Sequence, residues 1–414
     1  MPHFWRQVLT VLGGSLAAQA LPLLAAPLIT RLCSPQALGA FGLWFGLASV
    51  CAIGATLRLE AALILDHERE QQRIGLSVIL TSATAVALAV TAVALAGRAL
   101  LWPVFGHLSW PAAASIGLAA WMIACTQGMM AFATSHGAYA RAARVKIWTA
   151  GAVTVSQIVL LVLGADGLGL VLGQLAGLAV GLVAAAVLLH PPLPHPRLLF
   201  GPEQRRYLAR HRNFWRYSLP AGLLNASVGP LPLMLIGVQH GAQAVGLYAL
   251  TQRVVSAPVS LVAASVLEVF KRQSVQEFQR LGHCSSAYLH TFRSLVLLGA
   301  LPALVLFVAA PELFAWVFGA RWRESGTLAS ILAPLCFLNF VAGPLSYVFF
   351  VAGKQRIELF WQMSLVTMTI AAYSAPLSLH QNVLAYCVGY CCMYLIYMSL
   401  SYRFSLGSGK AVTP

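Results

Sequence analysis

Apolar positions in this chain come in long unbroken runs, not in the alternation of a half-buried strand. Runs of spanning length cover residues 8–29, 38–65, 74–97, 112–134, 147–163, 168–189, 217–238, 245–267, 289–309, 327–352, 357–376 and 384–402. About 20 apolar residues cross a bilayer as a helix, and backbone groups in lipid must find their partners within the segment. A membrane barrel would alternate apolar and polar positions over about 10 residues per strand. The pattern therefore predicts an all-α, polytopic membrane protein of about twelve transmembrane helices. Gly164-Ala165-Asp166-Gly167 leaves room only for a tight turn between two runs. The first run contains Pro22 and Pro27 and is longer than a cleaved signal core, so it reads as a retained, kinked helix.

Composition removes the soluble alternatives. Of 414 residues, 59% are hydrophobic and 9% charged, against about 45–50% and about 25% in soluble proteins. The formal charge of +15 would point to nucleic acid in a soluble domain; here topology accounts for it. With a cytoplasmic N-terminus, twenty-one basic residues fall inside, from Arg6 through the 58–73, 141–146, 197–216, 271–293 and 354–356 connections to Arg403 and Lys410. Arg31, Arg98, Arg321 and Arg323 fall outside, and Arg253 alone lies within a span. Cytoplasmic loops collect Lys and Arg. The split predicts both termini in the cytoplasm, and no nucleic-acid partner is expected.

Residues 190–216 form the longest inner connection, opening on Pro191-Pro192-Leu193-Pro194 and running through a basic stretch with Tyr207, Phe214 and Trp215. It reads as a linker, either an orientation signal or a helix on anionic headgroups, between six-helix bundles at 1–189 and 217–414. The bundles look related. Gln36-Ala37-Leu38-Gly39 and Gln243-Ala244-Val245-Gly246 correspond at an offset of 207, and Leu59-Glu60 and Leu267-Glu268 at 208. The first helix of each is interrupted by proline: Pro22 and Pro27, then Pro220, Pro230 and Pro232. Parallel repeats with interrupted helices at matching places are a transporter signature, with the substrate site where the repeats meet.

Enzyme motifs are missing from the sequence: H-E-x-x-H, G-x-S-x-G, a P-loop and G-x-G-x-x-G do not occur, and Asp66 and Asp166 are the only aspartates. The eight cysteines show neither C-x-x-C nor zinc spacing, so no metal or cofactor is expected. Attention moves to polar groups in the spans. Gln19 and Asn225 sit in the two proline-broken helices. Arg253 lies about 12 Å into a helix starting near Val245 at 1.5 Å per residue. A buried cation costs at least about 2.5–3.5 kcal/mol, so Arg253 needs a cavity or a partner. Arg58 and Glu60 lie near the inner end of the second helix, where i, i+2 spacing directs them to different faces. Arg31 is a charge at the outer rim or at a cavity mouth.

Three stretches carry a family resemblance: Leu28-Ile29-Thr30-Arg31-Leu32-Cys33-Ser34-Pro35-Gln36-Ala37-Leu38-Gly39-Ala40-Phe41, Leu57-Arg58-Leu59-Glu60-Ala61-Ala62-Leu63-Ile64-Leu65, and Val245-Gly246-Leu247-Tyr248-Ala249-Leu250-Thr251-Gln252-Arg253-Val254-Val255-Ser256-Ala257-Pro258. They resemble the polysaccharide-biosynthesis transporters of O-antigen flippase type, in the multidrug/oligosaccharidyl-lipid/polysaccharide exporter superfamily. The resemblance implies two six-helix bundles around a central cavity, alternating access, and an undecaprenyl-pyrophosphate-linked oligosaccharide as substrate. It also implies membrane lipids around the protein, proton or sodium coupling, and pathway partners such as a glycan polymerase and glycosyltransferases. Arg31, Arg58 and Arg253 are the positions that match the cationic cavity of such flippases; the residues themselves add Gln19 and Asn225 as substrate contacts, and Glu60, Pro22 and Pro230 for ion coupling or gating. Coupled exporters of the superfamily often carry an acid in the first helix, and this chain has none there. Two other classes stay open, an exporter of a drug or small metabolite and a membrane-embedded glycan polymerase or ligase.

Overall fold

The computed structural model describes residues 18–66, 68–106, 108–192, 201–352 and 354–407. The first half of the run at 8–29, Arg6, Lys410 and the Pro194-His195-Pro196-Arg197 stretch lie outside the described residues. All regular structure among the described residues is helical, and nine helices there are long and apolar enough to span a bilayer. The chain divides into two compact units, Met1–Gly246 and Leu247–Pro414.

In the first unit, α1 (Ala18–Leu32) leads to α2 (Pro35–Thr56) and α3 (Leu59–Leu65). The hairpins α4 (Arg69–Ala99) with α5 (Trp110–Ser135) and α6 (Tyr139–Val162) with α7 (Asp166–Leu189) follow. Serines begin two of these helices, each followed by a proline in the first turn. Ser34 Oγ accepts from Ala37 N–H at 3.2 Å and Ser109 Oγ from Ala112 N–H at 3.4 Å. Such caps satisfy N–H groups that a helix end leaves open, and proline at the start has no N–H to lose. The core joins α2, α4, α5 and α7 around Trp44, Ile116, Val171 and Leu178, with Trp44 Nε1 donating to Ser115 Oγ at 3.2 Å.

The tight turn expected after 163 is present, with Gly164 at φ 81°. What holds α6 to α7 is a motif the hydrophobic pattern hides, Gly173-x3-Gly177-x3-Gly181. A Cβ on Gly177 would sit 2.6 Å from Val153 N and Cα, and one on Gly173 2.7 Å from Gln157 N. Lipid gives helices no hydrophobic reason to associate, so close backbone packing of small residues takes over.

A short helix, α8 (Pro202–Arg210), and a π-helical turn at Phe214–Ser218 lead into α9 (Leu219–Val228) and α10 (Pro230–Leu281). The 52 residues of α10 are two helices meeting at Gly241, whose φ 79° and ψ 177° only glycine adopts freely. Just beyond it, still inside the first unit, the chain crosses the start of α2. A Cβ on Gly39 would lie 2.7 Å from Gly246 N, and one on Gly246 2.6 Å from the Pro35 carbonyl carbon. Gln36 Nε2 donates to Gln243 Oε1 at 3.1 Å. These are the positions matched at offset 207, so corresponding residues meet one another about a local twofold.

The second unit holds the rest of α10 with α11 (Ser285–Phe318), α12 (Arg323–Leu345), α13 (Gln355–Ser374) and α14 (Leu379–Ser405). Its core packs Phe270, Tyr288, Leu295, Phe340 and Val348. A second layer is aromatic and polar. Tyr386, Tyr390, Tyr394 and Tyr397 descend one face of α14, and Tyr390 OH lies 2.6 Å from Thr369 Oγ1 and donates to Leu365 O at 3.1 Å.

Candidate functional site

The run at 38–65 is not one helix. It breaks between α2 and α3, where Leu57 and Arg58 take left-handed conformations with φ 52° and 59°. For residues other than glycine this conformation costs about 1–2 kcal/mol each. Side chains tie off the loose ends: Ser82 Oγ donates to Ala55 O at 2.7 Å, and Arg58 N–H to Thr56 Oγ1 at 3.3 Å.

The break corrects the expected placement of Arg58 and Glu60 on different faces. That expectation assumed continuous helix; with Arg58 left-handed the two side chains converge, Nη1 to Oε1 at 3.4 Å. The guanidinium lies over Gly222 of α9, where a Cβ would sit 2.8 Å from Arg58 Nε. The pair is only half satisfied. Arg58 Nε and Glu60 Oε2 are buried without a hydrogen-bond partner among the described residues, although the side chains remain 39% and 19% exposed. A donor and an acceptor thus stay unpaired among the described residues, covered at the atoms themselves while the rest of each side chain is partly exposed.

The other candidates lie apart from this pair or beside it. Asn225 follows Gly222 by one turn of α9 and is exposed, and Pro230 packs its ring on Gly46 of α2. Gln19 and Arg31 are exposed on α1, and Pro22 is half-buried there. Arg253 belongs to the second unit and is half-buried. Because its helix starts directly after Gly241, it lies about 18 Å from that end, deeper than a start near Val245 gives.

A cluster that sequence reasoning passed over fixes the inner connection. Gln204, Tyr207 and His211 recur at i, i+3 and i+7, one face of α8 continued into its C-terminal cap, while Arg205, Arg206, Arg210 and Arg212 are exposed. Gln204 Nε2 donates to Ser77 Oγ at 3.0 Å, Tyr207 OH to Asp66 Oδ2 at 2.7 Å, and His211 Nε2 lies 3.6 Å from the same oxygen. Gln72 Nε2 donates to Asp66 O at 2.7 Å. The described part of the linker is therefore docked on the first unit and leads by the π-helical turn to α9, which faces Arg58. The signal was legible: polar residues at helical spacing opposite an arginine face.

This dock makes a pH-dependent prediction. Burial holds His211 below its ordinary value of 6.5, helped by Arg210 and opposed by Asp66. An undocked imidazole takes up a proton as pH falls through about 6.5, whereas the docked one resists it. Docking is then full above that pH and weakens below it. Hydrogen exchange across 202–216, corrected for intrinsic rates, should rise between pH 7.5 and 5.5, and His211→Gln should flatten that rise. An identical response in both proteins would remove His211 from the account.

The family described as polysaccharide biosynthesis protein matches residues 28–327. The teichuronic acid biosynthesis protein TuaB of Bacillus subtilis (strain 168) is 23% identical over 179 residues, which are 42% of this chain and 35% of that protein. The match thus spans about a third of that relative's length. Among solved structures, an inward-facing multidrug resistance MATE family transporter of the MOP superfamily is similar with a TM-score of 0.73 at 16% identity, over 94% of both chains. Lipid II flippase MurJ in its inward closed conformation is similar with a TM-score of 0.70 at 11% identity, over 94% of this chain and 86% of that one. At these identities the likeness is one of fold.

Proposed function

Because the chain belongs to the polysaccharide biosynthesis protein family, we propose that it moves an undecaprenyl-pyrophosphate-linked oligosaccharide across the bacterial inner membrane by alternating access. The observation that carries this is Arg58, a partly exposed guanidinium at a strained break in a membrane helix, with a buried N–H that has no partner among the described residues. The fold, similar to that of a lipid II flippase, agrees with it.

The chemistry is coherent. A pyrophosphate and a row of hydroxyls cannot cross hydrocarbon unaided, because unpaired polar groups and charges are costly there. Arg58 and Arg253 supply counter-charge, Asn225, Gln19 and Arg31 further polar contacts, and the lipid tail stays in the bilayer. Glu60, with one oxygen unpartnered among the described residues, is the candidate for a coupled proton or sodium ion, and Pro22 and Pro230 for gating. The membrane potential favours outward movement of an anion by about 2.3 kcal/mol per charge per 100 mV. In this reading 1–189 and 217–414 are the two bundles, both termini are cytoplasmic, and the protein acts as a carrier, not an enzyme, beside the pathway's glycosyltransferases and polymerase. The likeness to a MATE family transporter favours a second reading, export of a drug or small metabolite.

Reconstitution separates the two. Full-length protein in liposomes carrying a fluorescent undecaprenyl-pyrophosphate oligosaccharide should bring the label to the opposite leaflet, read as exposure to a membrane-impermeant quencher. Protein-dependent efflux of a small organic cation, with the lipid-linked glycan left in place, would hand the site to the second reading.

A further inference from the structure

At the ends of α4 to α7 that the charge pattern assigns to the cytoplasm, the first unit has a second basic site, outside the Arg58 region. A cavity of about 300 Å³ is lined by Arg69 at the start of α4, His136 capping α5, Arg141 in the first turn of α6 and His190 capping α7. Among the described residues no acidic side chain lines it. Three separate connections thus bring two guanidiniums and two imidazoles to one hollow. Like charges brought together favour a counter-ion between them.

Helix ends explain part of this arrangement. His136 Nδ1 lies 3.1 Å from Phe132 O, and Arg141 Nη1 donates to Leu188 O at 3.5 Å. Cations belong near such carbonyls. That leaves the other nitrogens of both residues, together with Arg69 and His190, facing the hollow, and Arg69 has no ion-pair partner among the described residues. His190 is held at φ 48°, a left-handed conformation disfavoured for any residue with a Cβ.

Directly beyond Leu188 and Leu189 a groove of about 470 Å³ runs along the hairpin, lined by Trp148 of α6 and by Val180, Val183, Val187 and Leu188 of α7. Its α7 wall keeps one face from 179 to 188, about 13 Å of helix. Trp148, Val183 and Val187 are 62%, 61% and 61% exposed, so nothing in the described chain covers it. Arg141 and Trp148 are two turns apart on α6, one at each hollow. A basic pocket walled by Leu189 and an apolar groove walled by the neighbouring Leu188 together fit a molecule with an anionic head and a hydrocarbon tail.

We infer that this surface is a specific site for a phosphate-headed membrane lipid of the inner leaflet, its phosphate between Arg69, Arg141, His136 and His190 and one chain along α6 and α7. The site is independent of the substrate reading above. It gives the first unit a fixed lipid contact at the end of the hairpin next to the linker.

Native mass spectrometry of the purified full-length protein tests it with three probes: phosphatidylglycerol, diacylglycerol with the same chains, and glycerol phosphate. Phosphatidylglycerol should be retained at least about tenfold better than diacylglycerol, and millimolar glycerol phosphate should not displace it. Arg69→Gln with Arg141→Gln should reduce phosphatidylglycerol to the diacylglycerol level. Val183→Trp, which fills the groove and leaves the charges in place, should also reduce it several-fold. Both variants should elute as a single species, since every position is on the surface. Equal retention of the two lipids, or unchanged retention in either variant, overturns the site. Tight binding of glycerol phosphate with no gain from the chains would make it a soluble-phosphate site and overturn the lipid assignment.

Discussion

Gly177→Leu will leave several-fold less folded protein in the membrane than the parent chain. A Cβ at this position would lie 2.6 Å from the backbone N and Cα of Val153, and backbone, unlike a side-chain tip, cannot turn aside. The two helices must separate, which removes the contacts of Gly173 and Gly181 as well. Overpacking costs about 1–3 kcal/mol, occasionally more, and here no hydrophobic drive restores the pairing because lipid is as apolar as the interface. Gly151→Ala is the control, on the same hairpin with nothing within 4 Å of its Cβ. That change should be neutral or stabilising by up to about 1 kcal/mol, since alanine is the better helix former. Fluorescence-detected size exclusion of tagged protein reads both. Equal yields of Gly177→Leu and Gly151→Ala would show that the hairpin opens without cost.

The second large effect divides stability from function at one residue. Arg58→Gly should leave the protein at least as stable as the parent and cut transport about ten- to a hundredfold. Glycine adopts the left-handed conformation without the steric cost that arginine bears, so the break is relieved. What is lost is a charged hydrogen-bond donor, worth about 1.5–3 kcal/mol where it meets an ionic partner, and each 1.4 kcal/mol is tenfold. Arg58→Lys should recover part of the rate, keeping charge but losing the planar fork for phosphate. Gly222→Val, which pushes the guanidinium from its place, should mimic the loss with Arg58 still present. A purely structural ion pair gives a different pattern: Arg58→Gly would lower abundance, and adding Glu60→Gln would restore it. The same transport assay on Arg253→Ala should show a loss of similar size at normal abundance.

The all-helical membrane fold was legible because lipid imposes a simple rule: twenty apolar residues in a row need an explanation, and a spanning helix supplies it. The expected runs are helical where they are described, but those at 38–65, 217–238 and 327–352 are each divided between two or more helices. The break at Leu57-Arg58 was not legible. Neither glycine nor proline stands at Leu57 or Arg58, and the break is held by Ser82, twenty-seven residues from its acceptor Ala55, and by packing on α9, which local pattern does not report. The face shared by Arg58 and Glu60 was misjudged for the same reason, since counting i, i+2 presumes the helix continues. The docking face of α8 was missed differently. Its arginines drew attention to charge, while Gln204, Tyr207 and His211 announced a buried face by their spacing alone. Arg253 stood out because a cation in a span is expensive whatever surrounds it.

The crossing of Gly39 and Gly246 carries a consequence for how this chain can vary. Pro35 touches Gly246 as Ala242 touches Gly39, the reciprocal pattern of an isologous contact between identical subunits. In a true dimer one codon writes both sides, so each substitution is tried twice at once. Joined in a single chain, the two sides are written separately and can specialise as long as both glycines stay small. One side has done so with a serine cap and a proline, Ser34-Pro35, and the other with the sharp turn at Gly241. Two unlike helix beginnings thus serve one shared pivot, and selection can tune either without disturbing its counterpart.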